Sequence, residues 1–218
     1  MISAIILFAS IASYTLGIIV LLKNPKKSLN ILFAIFAFFV AIWDFSNFFV
    51  DLFKEPFFFR GAYALGALVG ASGLAWIYSL CKGTKWPKVV TVYLIGLFFA
   101  VATYINGFII SKIISITDKG FVGAFGFLFP FFSIFALFCL VYGGYLLVDS
   151  YRKSVGIIRL KLKYITFGLI GFGTVSVSVS FILPLIGISG LERLDSPSSL
   201  IFVGSSAYAM IKPRLSHK

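Results

Sequence analysis

The sequence predicts an all-α integral membrane protein, a seven-transmembrane-helix bundle, and three observations carry that reading. Of the 218 residues, 60% are hydrophobic and only 12% are charged, whereas soluble domains carry roughly 25% charged residues. The apolar residues come in long blocks, several of which reach the about 20 residues that a helix needs to cross ~30 Å of hydrocarbon. The basic residues fall in short clusters between those blocks. A water-soluble fold of this length could not hide so much apolar surface.

The first block covers residues 2–22. No Lys or Arg precedes it, and it is longer than the apolar core of a signal peptide. Lys23, Lys26 and Lys27 follow it, which puts this end inside and the N-terminus outside. The second block, 29–53, is broken by Lys54-Glu55-Pro56. The third, 61–81, is closed by Lys82, Lys85 and Lys88, and the fourth, 89–104, by Asn106-Gly107. Residues 107–125 have mixed polarity, with Asp118-Lys119-Gly120 as a turn. They read as an extracytoplasmic loop, with a short hairpin on the membrane surface as one form of it. The fifth block covers 127–148. The most basic stretch of the chain follows, with Arg152, Lys153, Arg159, Lys161 and Lys163. The sixth block covers 164–188 and the seventh 200–211. Ser196-Pro197-Ser198-Ser199 supply the N-cap and first turn of the seventh, and Lys212, Arg214 and Lys218 close it. It is the shortest of the set.

Charge placement sets the topology as N-out and C-in. Of the 19 lysines and arginines, only Lys54, Arg60, Lys112, Lys119 and Arg193 fall in segments assigned outside. Positive charge collects on the cytoplasmic side of membrane proteins. The expected location is the cell (plasma) membrane, with the chain crossing several times. Residues 174–180, Thr-Val-Ser-Val-Ser-Val-Ser, alternate with the period of a strand. They lie inside a block long enough to span, and an open strand edge in lipid would leave backbone groups unpaired, so helix is expected there too. The chain reads as a single domain, residues 1–218.

The formal charge of +12 does not point to nucleic acid, because the cations sit in loops between apolar blocks rather than on one face. Anionic lipid headgroups are their expected neighbours. The two cysteines, Cys81 and Cys139, lie in apolar blocks, and the single histidine is His217. Neither a disulfide framework nor a metal site is expected. No catalytic set, nucleotide loop or cofactor motif is visible, so an enzyme is not expected. A retinal pigment would need a lysine in the middle of the last helix, and only Lys212 is near, at its end.

Asp44 is the position that stands out. A carboxylate inside the membrane costs at least about 2.5–3.5 kcal/mol, so it should face the bundle interior. Asn47 and Asp51 follow at i+3 and i+7 and share its face. It reads either as a signal, ion or proton site, or as a packing aspartate satisfied by hydrogen bonds. Tyr63, Tyr104, Ser133, Ser176, Ser180 and Ser199, with Ser198, come to a similar depth and could complete a small-ligand site. Taken singly, each serine reads as a hydroxyl bonded to its own helix. Ala62, Gly66, Gly70 and Gly73 form a stripe of small residues for close helix packing, within the chain or in a homodimer. Pro130 and Pro184 should kink the fifth and sixth helices.

The chain resembles the N-terminal seven-transmembrane sensor region of bacterial and archaeal histidine kinases. The residues that carry the likeness are Leu16-Gly-Ile-Ile-Val-Leu-Leu-Lys-Asn-Pro, Trp43 in the second helix, and Phe127-Leu-Phe-Pro-Phe-Phe. Toward the end come Phe181-Ile-Leu-Pro-Leu-Ile-Gly-Ile, Asp195-Ser-Pro-Ser-Ser-Leu-Ile-Phe and Ala207-Tyr-Ala-Met-Ile-Lys-Pro-Arg-Leu. The resemblance implies a sensory input module that passes a conformational signal to a cytoplasmic partner, and it brings no catalytic residues or cofactors. No output domain follows Arg214-Leu215, so the expectation is a standalone or truncated sensor. A small secondary transporter and a non-catalytic subunit of a membrane complex are the alternatives.

Overall fold

The computed structural model describes residues 2–117, 120–183 and 194–211. The side chains at 115, 117, 120–123, 180 and 181 are outside that description. Pro184, Arg193, Lys212, Arg214, His217 and Lys218, singled out above, lie outside the described residues.

Seven α-helices and one hairpin make up the described chain. They are α1 (Ile2–Lys23), α2 (Ser28–Phe53), α3 (Pro56–Lys82), α4 (Trp86–Tyr104), β1 (Ile110–Thr117), β2 (Gly120–Phe125), α5 (Phe129–Lys153), α6 (Gly156–Val177) and α7 (Asp195–Ile211). Helices α1 to α6 are long and apolar enough to cross a membrane. Helix α7 has 17 residues, about 26 Å at ~1.5 Å per residue, less than the thickness of the hydrocarbon.

Six helices close a ring. Helix α1 packs on α2, α2 on α3, α3 on α5, α5 on α6, α6 on α7, and α7 back on α1. Helix α4 lies outside the ring against α3. Leu94, Leu97, Phe98 and Val101 on its far side are exposed. Apolar side chains on such a face suit lipid rather than water.

The centre of the ring is aromatic. Trp76 of α3 stacks on Phe36 of α2 at 6.0 Å and meets Phe33 and Phe202 edge-on or tilted. The small stripe of α3 packs against two different helices. Gly66 faces Trp43, Gly70 faces Cys139 of α5, and Gly73 faces the Phe36 ring. Ala62 is buried. A closer approach lies one residue over. A Cβ on Gly96 of α4 would stand 2.6 Å from the Ala71 methyl and 3.2 Å from the Ala67 carbonyl oxygen of α3.

The hairpin expected as one form of the 107–125 loop is present, with β1 and β2 paired antiparallel from Ile110–Phe125 to Thr117–Gly120, while two other expectations, on Pro130 and on the start of α6, need correction. The pairing continues toward the bundle, where Leu128 donates to the Phe108 carbonyl and Gly126 to that of Ile109. Ile109 and Ile110 are fully buried and anchor the hairpin in the core. Pro130 does not kink α5, because it stands in the first turn, where no N–H is needed. Helix α6 begins eight residues before the apolar block does, so Arg159, Lys161 and Lys163 are helical. Arg and Lys are good helix formers, and their long stems reach from an apolar helix end to a polar surface. The guanidinium of Arg159 lies over the Tyr151 ring and the Lys163 ammonium over Phe167.

The alternating segment at 174–180 is helical, as expected, with a wider coil. A π-helical stretch covers Ser178–Ile182, and Leu183 donates to the Ser178 carbonyl. Pro184 comes next in sequence and has no N–H to continue an α-helical ladder.

Candidate functional site

Helix α2 buries one stripe. Phe33, Ala37, Val40, Ala41 and Asp44 recur at helical spacing and face the ring interior. Asp44 therefore lies inward because its helix phase demands it. Its side chain has no exposed surface. It sits about 13 Å along α2 from Phe53, at ~1.5 Å per residue.

Helix α7 begins at that depth. Ser196 donates a hydrogen bond to Oδ1 of Asp44 at 2.6 Å, and Ser199 approaches Oδ2 at 3.4 Å. Both serines are buried. The Ser198 hydroxyl turns back to the carbonyl of Asp195 at 2.6 Å. The first turn of any helix leaves backbone N–H groups without intrahelical partners and carries partial positive charge. The Asp44 carboxyl thus meets the serine hydroxyls at the positive end of this helix. Among the described residues no cation forms an ion pair with Asp44.

The expected companions of Asp44 scatter. The Asn47 amide donates to the carbonyl of Trp43 on its own helix at 3.0 Å. Asp51, in the last turn of α2, bonds the hydroxyl of Ser3 on α1. Tyr63 is half-buried and belongs to an aromatic group with Phe59, Phe125, Phe129 and Phe132. Tyr104 is exposed at the end of α4 and tilts against Phe57. Ser133 bonds the carbonyl of Phe129 in its own helix. Ser176 is half-buried on α6. Ser180 lies in the π-helical stretch, and its side chain is outside the described residues. So Ser199 joins Asp44, while the tyrosines and Asn47 form no bond to it. Ser196 is the partner that sequence reasoning missed. In the sequence it reads only as a cap of the seventh helix, and no spacing along the chain points from it to Asp44.

The other end of α7 has a matching feature. The Lys23 ammonium donates to the carbonyl of Met210 at 3.0 Å and to that of Ile211. These carbonyls belong to the last described turn of the helix, whose dipole is negative toward that end. Thus α7 receives a carboxylate from α2 at its start and an ammonium from α1 at its finish. Its direction is parallel to α1.

Two apolar surface grooves, of about 330 and 250 Å³, lie along α4. Neither is lined by a candidate site residue. No group of His, Cys, Asp and Glu suited to a metal ion occurs among the described residues. No family model, curated protein or solved structure matches this chain.

Proposed function

We propose that the chain is a signal-input module of the cell membrane, with seven spans, its N-terminus outside and its C-terminus in the cytoplasm. In this reading a signal reaches the Asp44–Ser196–Ser199 junction from the outer side. Helix α7 carries the change to the basic end, where a separate cytoplasmic partner reads it. The observation that carries the reading is the pair of cross-helix bonds at the two ends of α7. A helix held at both ends by groups of other helices moves when either hold changes. The resemblance to histidine-kinase sensor regions agrees with this assignment, and no enzymatic step is part of it.

The seventh span is short because its N-terminus opens at depth, opposite Asp44. That feature also favours a second reading, a small carrier. Carriers place helix N-termini and interrupted helices near the midplane, beside their substrate and coupling ion. The π-helical stretch that follows α6 is a second irregularity of this kind.

Two measurements test the proposal. Cysteines at Lys26, Lys112 and Arg159, in a chain freed of Cys81 and Cys139, are probed in intact cells with an impermeant thiol reagent. Labelling at 112 alone is expected, and outside labelling at 26 or 159 would refute the orientation. Spin labels at Val20 and Met210 then report the α1–α7 distance in reconstituted protein. Asp44→Ala should change that distance and Asp44→Asn should not. An unchanged distance in a folded Asp44→Ala chain would leave the carrier or the structural subunit as the better reading.

A further inference from the structure

Helices α4 and α5 both pack on α3. They also meet each other midway along the bundle, where the Phe99 and Phe135 rings stack at 5.2 Å. Nearer the basic end a groove of about 250 Å³ lies between them. Leu74 and Ala75 of α3, both buried, form its floor. Val89 and Val92 line the α4 side, and Phe138 and Tyr142 line the α5 side. The Phe138 and Tyr142 rings stack at 5.2 Å, and Tyr145 continues the ladder toward the end of α5. The Thr91 hydroxyl donates to the carbonyl of Pro87 at 2.9 Å, so its hydrogen is used within α4. Such walls suit hydrocarbon.

One end of the groove is charged. Lys88 is part of the lining, and its ammonium lies over the Tyr78 ring, 5.4 Å from the centroid. A ring face attracts a cation without neutralising it. Among the described residues Lys88 pairs with no carboxylate, because Asp149 is taken by Lys82 at 3.1 Å and Lys153 at 2.6 Å. Trp86, exposed, stands two residues before Lys88 at the start of α4. Tryptophans of membrane proteins collect at the headgroup level. The groove therefore joins an apolar slot to a positive charge at that level. An anionic phospholipid has the same two parts in the same order, a chain and then a phosphate. A soluble anion gains nothing from the slot, and a neutral hydrocarbon gains nothing from Lys88.

We propose that the α3–α4–α5 groove binds one acyl chain of an anionic phospholipid, whose phosphate accepts hydrogen bonds from Lys88. The lipid comes from the leaflet that meets the basic end of the bundle. The site requires only that the bundle be embedded in a membrane, so it stands or falls separately from the signal-input reading.

The test uses the full chain in neutral detergent and native mass spectrometry. Phosphatidylglycerol and phosphatidylcholine with identical chains are the probes. The wild type should retain phosphatidylglycerol more strongly. Lys88→Gln should weaken phosphatidylglycerol binding about fivefold and leave phosphatidylcholine unchanged. Val92→Trp, which fills the slot, should weaken both lipids. Lys26→Gln removes one exposed charge from the turn between α1 and α2 and should bind as the wild type does. The proposal is overturned by equal binding of the two lipids to the wild type, by unchanged affinity in Lys88→Gln or Val92→Trp, or by an equal loss in Lys26→Gln. Photo-crosslinking of the wild type keeps the test decisive if Val92→Trp misfolds. Phosphatidylglycerol with a diazirine on its acyl chain should mark Val92 and Phe138, and the unlabelled lipid should suppress those marks. Marks on Ile19 and Leu22, which are exposed on α1, should persist. Equal suppression at both places would overturn the site.

Discussion

At its N-terminus α7 meets a buried carboxylate, Asp44; at its C-terminus it meets an exposed ammonium, Lys23. The Lys23 ammonium opposes the helix dipole with the correct sign, and the Asp44 carboxyl accepts serine hydrogen bonds at the other end. Their surroundings differ, and the surroundings decide the energy. A buried polar group left without its partner costs about 1–3 kcal/mol. An exposed charge at a helix end contributes about 0.3–1 kcal/mol and weakens with salt. The same bond type is therefore structural at one end of the helix and adjustable at the other. Arg60 makes a half-buried version elsewhere, donating to the Thr103 carbonyl at the end of α4 and to Asn106 at 2.7 Å each.

The comparison breaks most severely at Asp44. Asp44→Ala strands the Ser196 and Ser199 hydroxyls and leaves a gap, and it should lower stability by about 1–3 kcal/mol. Thermal unfolding in detergent measures this. Asp44→Asn keeps an acceptor of the same shape and should stay closer to wild type. If Asn costs as much as Ala, negative charge at the start of α7 is required, and the hydrogen bond alone is insufficient.

A smaller effect separates the two serines. Ser196→Ala removes a 2.6 Å bond and should cost about 1 kcal/mol, whereas Ser199→Ala removes a 3.4 Å approach and should cost only a few tenths. Equal losses would mean that the two hydroxyls share the carboxylate evenly. The smallest effect belongs to the other end. Lys23→Met should lower stability by roughly 0.5 kcal/mol or less, with the difference shrinking as salt is raised. A loss independent of salt would make Lys23 a packing residue rather than an electrostatic one. Gly96→Ala sharpens the contrast with a steric control. Its Cβ would press on Ala71, so α3 and α4 should separate without disturbing spin labels on α1 and α7.

Much of this was legible in the residues. Block length and loop charge predict α1, α2 and α4 to within three residues and α3 to within five, because crossing hydrocarbon demands long apolar runs. The phase of Asp44 on α2 is equally legible, since it continues the stripe from Phe33 to Ala41. The start of α6 was not, because Arg159, Lys161 and Lys163 read as loop until their helix propensity and snorkelling stems are counted. The hairpin anchor was also hidden. Ile109 and Ile110 look like any apolar pair, and only the fold shows that they enter the core.

By itself, then, the sequence determined an integral membrane protein, its helices and the inward face of Asp44, because hydrophobic length and helical period are local properties. Tertiary structure alone decided what Asp44 touches. The depth at which α7 begins depends on how α1, α2, α6 and α7 pack together. No spacing along the chain encodes the meeting of Ser196 with a carboxylate 152 positions earlier, or of Lys23 with the last turn of α7.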